Sequence, residues 1–150
     1  MANGKVPGGS STGSRGPSGE GASQSPPADR RRYFHRGENR WLINVPAESF
    51  HVTAADEVLS TTLGSCVSVC VFDPRLAIGG LNHFLLPHEP AGSDHGEALR
   101  YGCYSMEHML DELVRMGAVR SSMETKVFGG GSSPLLGSDV GNANIAFVLD

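Results

Sequence analysis

Cys66 and His83 are the two residues whose types and spacing could do chemistry together. Cys66 follows Leu63-Gly64-Ser65, and a glycine there lets the chain turn sharply enough to leave the next backbone N–H unpaired and facing outward. Such an N–H can hold an oxyanion, and a thiol beside it can serve as a nucleophile once deprotonated. A free cysteine titrates at about 8.5, so activity at neutral pH needs a base or cation close by. His83 is the candidate base, standing in the otherwise apolar run "LNHFLLP", which a turn would fold back beside Cys66. The same two residues also suit a core. Cysteine is among the most buried residue types, and a histidine in an apolar strand is often a hydrogen-bonded interior group. Pattern alone leaves both readings open.

The remaining constellations are weaker. Cys66 and Cys70 form C-x-x-x-C, but no second cysteine pair follows and the residues between them read as strand, which argues against metal. His88, Glu89, Asp94, His95 and Glu97 gather metal-type donors, yet an exposed polar loop has this composition for solubility. "FGGGSS" is not followed by Lys-Ser or Lys-Thr, so it does not make a phosphate-binding loop. Cys103 is expected on the apolar face of a helix. No metal and no cofactor is implied.

The elements that must position the pair follow from periodicity. "SCVSVCVF" alternates, with Val67, Val69 and Val71 on one face and Cys66, Ser68, Cys70 and Phe72 on the other. "DPRLAIGG" provides a turn, with Gly79-Gly80 permitting close backbone approach, and "LNHFLLP" returns as the partner strand, giving a hairpin. Two short strands are predicted in "WLINVPAESFHVT", where the folded part is expected to begin near Trp41. "RRRYFHRGENRW" just before it is expected to be a solvated lead-in rather than a nucleic-acid contact. An amphipathic helix is predicted over residues 101–116, with Cys103, Met106, Leu110, Leu113 and Val114 on its apolar side and Gly117 as its C-terminal cap. "METKVFGGGSS" gives a strand running into a glycine turn, and "ANIAFVLD" begins a further apolar element. Strands with a crossing helix indicate a layered α/β or α+β domain.

Composition narrows the function classes. With 150 residues there is room for one compact domain, and residues 1–32, rich in Gly, Ser and Pro, are expected to form a disordered tail ahead of a domain over residues 33–150. A net charge of -4 makes polyanion binding a poor expectation, so no nucleic-acid partner is predicted. No apolar run reaches the roughly 20 residues of a membrane helix, and no secretory signal is evident, which predicts a cytoplasmic protein without membrane insertion. Three cysteines do not make a disulfide framework, so free thiols are expected.

"TTLGSCVSVCVFDP", "IGGLNHFLLP", "LRYGCYSMEHMLDELVRMGA" and "KVFGGG", in this order, resemble CheD, the chemoreceptor glutamine deamidases of bacterial chemotaxis. The resemblance runs from about Tyr33 to Asp150. It implies an α+β fold, a three-layer αββ sandwich related to bacterial toxin deamidases. It also implies a cysteine nucleophile at Cys66, a histidine at His83 and a supporting hydroxyl, which falls on Ser60 by strict counting. Thr61 is the neighbouring alternative, and Ser60 is preferred because even spacing in an extended segment would put it on the same face as Cys66. The implied reaction converts specific receptor glutamines to glutamate through a cysteine thioester. The implied partners are the cytoplasmic helices of methyl-accepting chemoreceptors, with a CheC-type phosphatase as a second. Where the family commonly shows an arginine before the asparagine matching Asn144, this chain has Ala143. Family members also continue past the point matching Asp150, so C-terminal elements are expected to be lacking. Alternative functions are a non-catalytic chemotaxis adaptor, an esterase acting on methylated glutamates, and a transglutaminase.

Overall fold

The computed structural model of the chain describes residues 32–90, 95–131 and 139–150. The expected disordered tail lies outside the described residues, Arg32 apart. Seven strands and two helices follow in the order β1 (Arg32–His35), β2 (Arg40–Asn44), β3 (Ser49–Thr53), β4 (Glu57–Ser60), β5 (Val67–Asp73), β6 (Ile78–His83), α1 (Gly102–Arg115), β7 (Glu124–Gly129) and α2 (Val140–Leu149). They form an α+β layered fold with two sheets, one ordered β1-β2-β4 and one ordered β3-β6-β5-β7. No described helix is long and apolar enough to cross a membrane.

The valine alternation of β5 builds the core. Val67, Val69 and Val71 are buried with Phe84, Met109 and Leu113, so α1 covers this face of the larger sheet. Burial of such side chains contributes about 1.5–3 kcal/mol each. The β5–β6 hairpin forms as the sequence suggests, with Asp73 paired to Ile78 across residues 74–77. The glycines of "IGG" do not sit in that turn. They lie within β6, and a Cβ on Gly80 would stand 3.1 Å from Val52 Cγ2 and 3.2 Å from the Met109 side chain, so β3 and α1 both approach closely there.

Helix α1 satisfies its first free N–H groups with chain rather than a side-chain cap, Gly102 donating to the Leu86 carbonyl (2.7 Å) and Cys103 to that of Pro87 (3.2 Å). At its end Gly117 has φ 101°, and the Gly117 and Ala118 N–H groups return to the carbonyls of Val114 and Leu113. This is the left-handed cap expected from the sequence. The buried stripe is Gly102, Ser105, Met109 and Leu113, whereas Val114, expected to face inward, is 43 % exposed. The stripe rotates because the small Ser105 and Gly102 admit the closest contact, not the bulkiest apolar residues.

Arg32–His35, expected as a solvated lead-in, pairs antiparallel with β2, and Phe34 meets Trp41 edge-on. Strand β2 pairs parallel with β4, with Asn44 opposite Ser60. "ANIAFVLD" falls in α2, whose Asn144 is fully buried. A cavity of about 350 Å³ lies between β4 and the Cys70 face of β5, and neither Cys66 nor His83 lines it.

Candidate active site

The hairpin places His83 near the end of β6 and Cys66 just ahead of β5. Val67 pairs with Phe84 in the same antiparallel register in which Cys70 faces Leu81. His83 directly precedes Phe84 at the end of β6, and Cys66 directly precedes Val67 in the bend that leads into β5. Cys66 is partly exposed and carries a free thiol, while His83 is 5 % exposed.

The tautomer of His83 follows from its partners. The Thr61 hydroxyl donates to the carbonyl of Val45 at 2.7 Å, and its oxygen lies 2.8 Å from Nδ1 of His83. With that hydroxyl proton assigned to Val45, Nδ1 carries the ring hydrogen and donates it to Thr61, an assignment that leaves Nε2 with the lone pair. Nε2 is buried and has no hydrogen-bond partner among the described residues. A buried acceptor without a partner is costly to leave so, and here it is the atom a thiol would need.

Burial sets the resting protonation. It pushes the His83 imidazole below its ordinary value of 6.5, the Val45 carbonyl opposing this only in part. It pushes the Cys66 thiol above 9.0, and the backbone N–H of Cys66 itself pulls the other way. Both shifts favour neutral forms. At neutral pH the thiol and the imidazole both rest in their uncharged forms.

Ser60, preferred from the sequence as the supporting hydroxyl, does not meet His83. Its hydroxyl points to the Ile43 carbonyl at 3.4 Å, within the pairing of β2 and β4, and Thr61 takes the place beside the ring. Strand β4 ends at Ser60 and the chain bends over residues 64–66, so an even count from Cys66 does not carry a single face back to residue 60.

The "GGG" stretch holds the cysteine loop. Gly130 donates to the Cys66 carbonyl at 2.8 Å and Gly131 to that of Gly64 at 2.9 Å. Gly129 has φ 102°, and a Cβ there would fall 2.2 Å from the Cys66 carbonyl oxygen, so no other residue fits. Asn144 closes the other side, its amide nitrogen donating to the carbonyls of Ser65 (3.2 Å) and Leu85 (2.9 Å). Sequence spacing gave no signal for Thr61 over Ser60 or for Asn144, since both act across long separations. Of the polar loop, Asp94 lies outside the described residues and nothing is described of the His95 and Glu97 side chains. Glu89 accepts from the Tyr104 hydroxyl, and His88 stacks edge-on against Phe147.

The site thus has a free thiol in a loop held by glycine N–H groups and by Asn144, and an imidazole held by the Thr61 hydroxyl. The family model described as CheD chemotactic sensory transduction matches residues 85–150. The protein named probable chemoreceptor glutamine deamidase CheD in Cupriavidus metallidurans is 44% identical over 135 residues, covering 86% of this chain and 61% of that one. The chain is similar to CheD proteins. The protein of the same name in Bordetella parapertussis is 42% identical over 123 residues, covering 80% of this chain and 58% of that one. The one in Hahella chejuensis is 38% identical over 120 residues, covering 78% and 57%. The chain thus spans about three-fifths of the length of the CheD relatives it matches.

Proposed function

We propose that this chain is a protein-glutamine deamidase acting on chemoreceptors in the cytoplasm, with Cys66 as nucleophile, His83 as general base and acid, and Thr61 holding the ring. The single observation that carries the reading is the His83 imidazole, held at Nδ1 by Thr61 with its buried Nε2 unpartnered among the described residues. The relatives' printed name supplies the substrate class.

In the proposed reaction Nε2 of His83 takes the thiol proton as Cys66 Sγ bonds to the side-chain amide carbon of a glutamine. The carbonyl electron pair moves to oxygen, and the Cys66 N–H holds that oxyanion, a kind of contact worth about 3 kcal/mol in the transition state. The C–N bond breaks as the imidazolium returns its proton to nitrogen, releasing ammonia and leaving a thioester. Water gives a proton to Nε2 and bonds to the thioester carbon, the C–S bond breaks, and the proton returns to sulfur. Glutamine and water become glutamate and ammonia.

The test is ammonia release from a receptor cytoplasmic fragment. The parent protein is expected to release ammonia and add about one dalton per converted site, with Cys66→Ala and His83→Ala losing at least about 100-fold. Receptor binding by the parent without ammonia would overturn the enzyme and leave the adaptor. Loss of a methyl group or attachment of an amine would point instead to the esterase or the transglutaminase.

A further inference from the structure

Asn144 is the residue at this site that neither the thiol chemistry nor the imidazole accounts for. It is fully buried on α2, and its side chain spans two carbonyls that flank the reacting groups in sequence, Ser65 ahead of Cys66 and Leu85 two residues after His83. Its Oδ1 is buried with no partner among the described residues, so the side chain is held there by what its nitrogen donates.

The peptide between Ser65 and Cys66 is one planar trans unit, in which C=O and N–H point in opposite directions. Holding the Ser65 oxygen inward on Asn144 therefore turns the Cys66 N–H the other way, and that N–H pulls the Cys66 thiol down against the effect of burial. Among the described residues that N–H meets no backbone carbonyl, whereas the Cys66 and Gly64 carbonyls are taken by the glycine turn. We infer that Asn144 is a positioning residue: by fixing the plane of the Ser65–Cys66 peptide it aims the Cys66 N–H at the sulfur and at the oxygen of the incoming amide. The assignment to an oxyanion rests on the proposed deamidase reading; the aiming at sulfur does not.

Two substitutions separate this from a packing role. Asn144→Ser keeps a small polar group too short to span both carbonyls, and Asn144→Leu keeps the shape while removing the donating nitrogen without adding a charge. Circular dichroism and thermal melting identify which variant is folded, and the near-isosteric Leu variant guards against collapse of the Ser one. The readout is the pH dependence of iodoacetamide alkylation at Cys66, followed by peptide mass spectrometry so that Cys70 and Cys103 do not contribute. Loss of the aimed N–H is expected to move the alkylation midpoint of the folded variants up by about one pH unit, a roughly tenfold slower reaction at pH 7 with an unchanged alkaline plateau. A midpoint within about 0.2 unit of the parent would overturn the inference, whatever happens to the melting temperature. In the ammonia assay kcat is expected to fall about tenfold or more with KM changed less than threefold. A parent protein that releases no ammonia would sink the deamidase reading alone, because the alkylation midpoint still decides the role of Asn144.

Discussion

Thr61 and Ser60 are adjacent hydroxyls with different environments, and this difference is testable one residue at a time. Thr61→Ala removes the acceptor that fixes Nδ1–H and lets the ring choose the other tautomer, so ammonia release is expected to fall about tenfold, the worth of one hydrogen bond of 1–1.5 kcal/mol. Ser60→Ala breaks only a long contact with Ile43, and activity within about twofold of the parent is expected. The opposite order would restore Ser60 as the supporting group. The depressed His83 value places the acid limb of kcat/KM below pH 6.5, because the base is lost only where the ring becomes protonated. The raised Cys66 value places the midpoint of its alkylation above 9, since the thiolate appears only there. An alkylation midpoint below 7 would instead show a preformed ion pair.

The β5–β6 hairpin was legible in the sequence because an alternating strand, a turn and a second apolar strand fix its register. Thr61 was not, because its side chain is placed by the parallel pairing of β2 with β4, a contact between segments that no local period announces. The same holds for the glycine turn after β7 and for Asn144, which reach the cysteine loop from 60 to 80 residues away in the chain. The register of β5 against β7 brings Gly129 opposite Val67, and the turn then delivers its N–H groups to the loop. Gly129→Ala is therefore expected to displace the Cys66 carbonyl, lowering both the melting temperature and the alkylation rate of Cys66. Gly117→Ala, at a left-handed cap remote from the thiol, is expected to cost about 1 kcal/mol of stability and to leave that rate unchanged. Equal effects of the two on alkylation would show that the glycine turn does not hold the loop.

The molecule as a whole is tied at the end of the hairpin away from Cys66 by Asp73. Its buried carboxylate accepts from the backbone N–H of Arg75 and Val119 and from the Ser122 hydroxyl, joining the hairpin turn to the segment after α1. The Ser122 hydrogen bond leads the causes that lower it from 3.8 to about 2. A carboxylate with a depressed folded value stabilises the fold fully above its unfolded value and loses that contribution as pH falls through the folded one. Acid unfolding of the parent is thus expected to draw on Asp73 between about pH 4 and pH 2, and Asp73→Asn, which cannot titrate, is expected to melt lower at pH 7 with a flatter acid profile. Identical acid profiles would remove Asp73 from this role. The α+β layering was predictable from the mix of strand and helix periods, whereas β1 was hidden by the arginine-rich stretch it starts in, which reads as solvated although Arg32 lies over the Trp41 ring and beside Glu57.

The most direct measurement of the central claim is intact-mass spectrometry after acid quench of the protein mixed with a receptor cytoplasmic fragment containing target glutamines. Expected is a covalent adduct equal to the two masses less one ammonia, mapped to Cys66, released by hydroxylamine and absent in Cys66→Ala. Conversion of glutamine to glutamate at the parent rate by Cys66→Ala, with no adduct at any time, would contradict it.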